Sequence, residues 1–126
     1  MRFVCDTSVL IDHLRDDERA LRLLVERAEA GHELWGVTVT RAEVMAGMRS
    51  SERRATRALL ESLRWIDVDI ELADLAGSLA RRYRRSHPGI ELPDYMIAAG
   101  AEVLGARLLT ANVRHFPMFD GLQAPY

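Results

Sequence analysis

In residues 92–116, LPDYMIAAGAEVLGARLLTANVRHF, an apolar helix runs at once into a short apolar strand and a polar turn. Pro93 stands where a first helical residue is favoured, residues 94–104 are apolar on nearly every side, and Gly105 ends the run. Residues 106–109 read as a strand, Thr110-Ala111-Asn112 as the turn after it, and the tail through Phe116, Phe119 and Tyr126 as a short helix with a ragged end. A helix so evenly apolar belongs in the middle of a fold, packed against neighbours on most sides.

The same alternation recurs upstream. Residues 2–5 form a short apolar run closed by Asp6-Thr7-Ser8, a strand feeding a helix over 9–15 through an Asp cap. Residues 18–30 put Leu21, Leu24, Val25 and Ala28 on one helical face, with Arg22, Glu26 and Glu29 opposite, and stop at Gly31. Residues 33–39, ELWGVTV, are β-branched and aromatic enough for a second strand, after which Thr40-Arg41-Ala42-Glu43 opens a helix to about Met48. A helix over 51–63 turns Ala55, Leu59 and Leu63 inward, a short strand follows over 65–68, and Asp69 caps a helix in which Leu72, Leu75, Ala76, Leu79, Ala80 and Tyr83 keep the three-four spacing. Ser86-His87-Pro88-Gly89 breaks it. Strands alternating with helices predict an α/β fold, one domain over residues 1–126, with a central, mainly parallel sheet flanked by helices on both faces. In such a sheet the strand-to-helix junctions share one edge, where ligands bind. That rule puts Asp6, the turn at 40–43 and Asn112 on one rim, but it does not bring Asp94 there.

Composition narrows the chemistry. With 126 residues, 48% of them apolar, the chain matches one domain and can bury about two-thirds of its unfolded surface. No stretch approaches the ~18 to 20 apolar residues of a bilayer span, and MRFVCDTSVL lacks the order of a signal peptide, so the expectation is a cytoplasmic protein without a membrane segment. The single cysteine, Cys5, cannot form an internal disulfide or a thiolate zinc cage and reads as a small core residue. All 17 basic residues are arginine. Without lysine there is no P-loop phosphate contact, no Schiff base and no receiver-type lysine partner. A net charge of −2 does not fit a protein that coats nucleic acid without specificity, so any nucleic acid contact is local.

Three carboxylates, Asp6, Glu43 and Asp94, fall at the cap or first turn of a predicted helix. Each has a structural explanation: Asp6 as an N-cap, Glu43 as the far member of a Thr40-x-x-Glu43 capping box, Asp94 as a first-turn acid beside Pro93. Asp94 stands apart because it and Glu102 are the only charges in that apolar helix, where an ionised carboxylate needs a cation or strong donors. Carboxylates sharing a rim repel one another unless a hard divalent ion sits among them, and oxygen-only ligation selects Mg²⁺ or Mn²⁺ over zinc. Such an ion activates water and neutralises charge on a phosphoryl group, so phosphodiesters can be cleaved without histidine.

The pieces VCDTSVLID, VTVTRAEVMAGM and LPDYMIAAGAEVLGARLLTANVRHF, with the overall length, resemble the PIN-domain ribonucleases, specifically the VapC-type toxins of bacterial toxin-antitoxin modules. The resemblance covers essentially the whole chain. It implies a PIN-like three-layer domain and a Mg²⁺- or Mn²⁺-dependent endoribonuclease that cuts RNA, with metal ligands at Asp6, Glu43 and Asp94 and hydrogen-bonding support from Thr7, Ser8 and Thr110. It also implies a homodimer and a cognate antitoxin partner. Many members carry a fourth acid after the last strand; Asn112 stands there in this sequence, so the catalytic set would hold one ion well and a second only once an RNA phosphate adds ligands.

Two arginine clusters, Arg49/Arg53/Arg54/Arg57 and Arg81/Arg82/Arg84/Arg85, fit either solvated helix faces or contacts to RNA or antitoxin, the second group being the candidate contact set. The histidines at 13, 32, 87 and 115 lack ligand spacing, and only His115 falls near the rim, so a His-pair ribonuclease is not expected. The competing class is a catalytically weak PIN fold acting as a binding module within a regulatory complex, for which Asn112 is the one supporting residue. A phosphatase built on Asp-x-Asp fails because Asp6-Thr7-Ser8 lacks the second aspartate.

Overall fold

The computed structural model describes residues Met1–Tyr126. In chain order it contains β1 (Arg2–Cys5), α1 (Thr7–Leu14), α2 (Glu18–Glu29), β2 (Glu33–Val37), α3 (Thr38–Ala46), α4 (Arg53–Ser62), β3 (Arg64–Ile66), α5 (Ile70–Tyr83), α6 (Leu92–Leu104) and β4 (Arg107–Leu109), with short 3₁₀ turns at Ser50–Glu52 and Val113–His115. The four strands form one sheet in the order β3-β2-β1-β4, every pair parallel. Phe3 pairs with both Leu34 and Arg107, and Val4 with Trp35 and Leu108, which fixes β1 at the centre.

Strand periodicity divides the core into two layers. Phe3 and Cys5 point from β1 into one cluster with Val9, Leu10, Leu23, Leu24, Val44, Leu59 and Leu60, so α1 to α4 cover that face. Val4 points the other way, with Val37 and Leu108, into the cluster built by Leu72, Ala76, Leu79, Tyr95, Ile97, Ala98 and Phe116, so α5, α6 and the tail cover the second face. Cys5 is fully buried, and that burial pushes its thiol up to about 12, which leaves it a packing residue. The expected helix–sheet–helix layering is present.

Several boundaries and faces differ from expectation. α2 buries Ala20, Leu23 and Leu24 and leaves Leu21 and Val25 exposed, because Val9 and Leu10 of α1 and the sheet select a stripe rotated from the one that periodicity favoured. α4 buries Thr56, Leu59 and Leu60 while Ala55 faces solvent. β2 ends at Val37, and the β-branched run at 38–40 enters α3, where Thr38 Oγ1 accepts from the Val68 amide across the β3–α5 connection. β3 spans 64–66 rather than 65–68. α6 begins at Leu92 and is buried on one broad face only: Leu92, Glu102 and Val103 are exposed. It packs tightly on the sheet at Gly100, where a Cβ would lie 2.3 Å from Val37 Cγ2.

Candidate active site

The carboxyl ends of β1, β2 and β4 run directly into Asp6, Thr38 and Thr110, on one edge of the sheet. α6 reaches the same edge from the opposite direction. A helix that enters a parallel strand through a turn as short as Gly105-Ala106 leaves its C-terminus at the amino edge, so its N-terminus, bearing Asp94, lies at the carboxyl edge. This is why Asp94 joins the rim although no strand precedes it. Asp6, Asp12, Glu43, Glu91 and Asp94 line one cavity of about 600 Å³, together with Thr7, Ser8, Asn112 and His115.

Asp6 is 3% exposed and occupies the N-cap position of α1, but its side chain caps nothing. Its Oδ2 instead accepts from Ser8 Oγ and from Thr110 Oγ1, each at 2.7 Å. Both hydroxyls are set to donate, because each already accepts a backbone amide: Ala111 N on Ser8 and Asn112 N on Thr110. Glu43 is not part of a capping box. α3 starts at Thr38, which places Thr40 and Glu43 inside the helix; Glu43 Oε1 accepts from Thr7 Oγ1 at 2.7 Å, and the Thr40 hydroxyl lies 3.0 Å from that of Thr7. With its one proton spent on Glu43, Thr7 accepts from Thr40.

Asp94 does retain part of the first-turn role, since its Oδ2 accepts the Glu91 amide at 3.4 Å, but the same oxygen also meets His115 Nδ1 at 3.2 Å. Burial raises the Asp94 carboxyl above its usual value; the Glu91 amide and His115 pull it back down, and Asp6 and Glu43 push it further up. Asp94 therefore feels the charge of both other acids. The three acids share a further feature: each has one oxygen held by protein donors, and its second oxygen has no protein partner. No three Asp, Glu, His or Cys side chains converge into a ready-made metal cage. Apart from the His115 imidazole, the anionic donors of the cavity are all hard carboxylate oxygens and no thiol is among them, which fits Mg²⁺ or Mn²⁺ and not a thiophilic ion.

Asp6, Glu43 and Asn112 lie where the strand-end rule puts them, and His115, expected near the rim, lines the cavity; Asp12 and Glu91 are additional. Asp12 was legible as i+4 from Ser8 on a helix that begins at the rim, and Glu91 as the residue before the Leu92-Pro93 helix start. Asp12 Oδ2 accepts from the Tyr126 hydroxyl, tying the C-terminal residue to α1. Arg81, Arg82, Arg84 and Arg85 are exposed at the end of α5, outside the cavity but leading to it through the segment that contains Gly89. Of the other cluster, Arg53 and Arg57 line a separate groove with Arg41, Met45, Met48 and Leu60.

Known proteins share this sequence pattern and architecture. The sequence model of the PIN domain matches residues 3–121. Ribonuclease VapC19 of Mycobacterium tuberculosis is 48% identical over 121 residues, spanning 96% of this chain and 97% of that protein. Ribonuclease VapC10 of the same organism is 46% identical over 121 residues, spanning 96% and 90%. Among solved structures, a toxin-antitoxin complex from Klebsiella pneumoniae has a chain that superposes with a TM-score of 0.77 at 27% identity, covering 98% of this chain and 97% of that one.

Proposed function

The chain belongs to the PIN domain family, with VapC ribonucleases as relatives along nearly its whole length, and from that membership we propose that it is the toxin of a toxin-antitoxin module, an endoribonuclease that uses Mg²⁺ or Mn²⁺. The observation that carries the proposal is the convergence of Asp6, Glu43 and Asp94, from three separate segments, on one cavity, each with an oxygen left free. Asp6, Glu43 and Asp94 would hold the ion. A bound divalent ion lowers the pKa of water and offsets the charge that builds on the phosphoryl oxygens.

The chain's own residues supply orientation. Ser8 and Thr110 fix Asp6, Thr7 fixes Glu43, and the two carboxylate oxygens so restrained keep their partner oxygens aimed at the cavity without reorganising during each turnover. Asn112, neutral at the mouth, offers amide donors to a phosphate that a carboxylate would repel. Arg81, Arg82, Arg84 and Arg85 suit the flanking RNA backbone, or the carboxylates of an antitoxin, through forked hydrogen bonds. The assembly we propose contains a second copy of the chain and a cognate antitoxin. A binding module without catalysis has only Asn112 in its favour, and the five cavity carboxylates oppose it.

Asp6→Asn, Glu43→Gln and Asp94→Asn provide the test, read as cleavage of RNA by the isolated chain in Mn²⁺. Each should lose more than the ~10- to 100-fold typical of an outer-sphere partner while the melting temperature holds or rises. Full activity in Glu43→Gln would remove that residue from the metal set, and an inactive unmutated chain would return the binding module.

A further inference from the structure

The stretch that leaves β4 does more than close the fold. Phe116 is 1% exposed and packs in the α5–α6 core cluster, anchoring the 3₁₀ turn Val113–His115. The turn is closed by His115 N on Asn112 O and by Phe116 N on Val113 O, each at 3.0 Å. This anchoring carries the His115 ring into the cavity, with Nδ1 3.2 Å from Asp94 Oδ2. Seven residues, from Thr110 to Phe116, thus deliver a hydroxyl donor to Asp6 at one end and an imidazole contact to Asp94 near the other.

We propose that His115 is the positioning residue of Asp94: the close contact of its Nδ1 with Oδ2 holds that oxygen against the imidazole, so that Oδ1 is the oxygen presented to the cavity. The inference rests on the metal-site reading above and deepens it. Rotation of a carboxylate about its last torsion is broad and two-fold, so an unrestrained Asp94 would exchange its two oxygens freely. The Glu91 amide alone restrains it poorly, being at 3.4 Å, the long end of hydrogen bonding. His115 Nδ1 is the closer polar contact and approaches from a different segment, which makes it the contact that selects the orientation. Asp6 and Glu43 have their hydroxyl donors; for the third acid the His115 ring is the close contact from a separate segment.

His115→Asn keeps a nitrogen donor near the position of Nδ1, whereas His115→Phe keeps the ring and removes both nitrogens. Mn²⁺ titration calorimetry on the RNA-free chain, thermal melting and RNA-cleavage kinetics would be read on all three proteins. The expected result is Mn²⁺ affinity and kcat lowered about tenfold in His115→Phe, KM for RNA little changed, melting temperature retained, and most of the loss recovered in His115→Asn. Unmutated Mn²⁺ affinity in His115→Phe overturns the inference, as does His115→Asn failing as badly as His115→Phe, which would assign the function to Nε2. Absence of Mn²⁺ binding by the unmutated chain would instead overturn the metal site, and this inference with it.

Discussion

Asp94 is where folding and chemistry pull against each other. Burial and the nearby Asp6 and Glu43 raise its carboxyl above the ordinary value of 3.8. A raised acid pKa means that the folded chain holds the proton more tightly than the unfolded chain, so the stability linked to this group is full below about pH 3.8 and is lost as pH rises through the raised value. Asp94→Asn cannot ionise and escapes that loss. In chelator, Asp94→Asn should therefore melt above the unmutated chain at neutral pH, with the difference closing as the pH falls toward 3.8. Melting curves across that range would show it; a constant offset would mean that the ionisation of Asp94 has no part in the difference. The sequence shows the carboxylates and their places at helix starts, but it does not show which hydroxyl or imidazole holds each one. Thr7 reaches Glu43 across 36 positions and Thr110 reaches Asp6 across 104, pairings that only the closed sheet creates.

At the scale of the element, α6 does two things at once: it packs on the sheet and presents Asp94 at the rim. Gly100 makes the close packing feasible, since a methyl there would stand 2.3 Å from Val37 Cγ2 and 3.5 Å from Ile66 Cγ2. Gly77 in α5 is the natural control, because a methyl at that position meets nothing within 4 Å. Gly77→Ala should be neutral or add up to ~1 kcal/mol through helix propensity. Gly100→Ala gains the same propensity but overpacks the interface at a typical cost of about 1–3 kcal/mol, so the clash should win, and the helix should yield by moving Asp94. Denaturant unfolding and RNA cleavage measured on both variants would separate the two; equal stability would show that Val37 rotates away at little cost. Element types and order are legible here because αβ alternation and the apolar runs are strong signals. Boundaries are less so. The β-branched 38–40 segment has strand propensity, yet it enters α3 because Thr40 is buried under Thr7 and Thr38 serves the Val68 amide. The exposed face of α6 was hidden by its composition, as Leu92 and Val103 read the same inside or out.

Over the whole molecule, charge is partitioned. The cavity is lined by five carboxylates, Asp6, Asp12, Glu43, Glu91 and Asp94, and no arginine lines it, although the chain carries 17. The strand-end rule brings only Asp6 and Glu43 to that rim and the family resemblance adds Asp94; Asp12 and Glu91 arrive through α1 and through the start of α6, by helix geometry that the rule omits. An RNA phosphate approaching an ion-free cavity therefore meets repulsion, and the exposed arginines of α5 attract it only at the periphery. Two consequences can be measured on labelled RNA. In chelator, the unmutated chain should bind RNA weakly, and Mn²⁺ should restore binding. The doubly neutralised Asp6→Asn/Asp94→Asn chain should show the reverse balance, binding RNA in chelator more tightly than the unmutated chain while cleaving none. At ~4 Å in water each removed charge is worth on the order of 1 kcal/mol against a phosphate, so the pair should improve metal-free affinity by up to roughly thirtyfold, less as salt is raised. If the double amide binds no better than the unmutated chain without metal, the RNA does not enter this cavity, and the arginine surface alone accounts for its affinity.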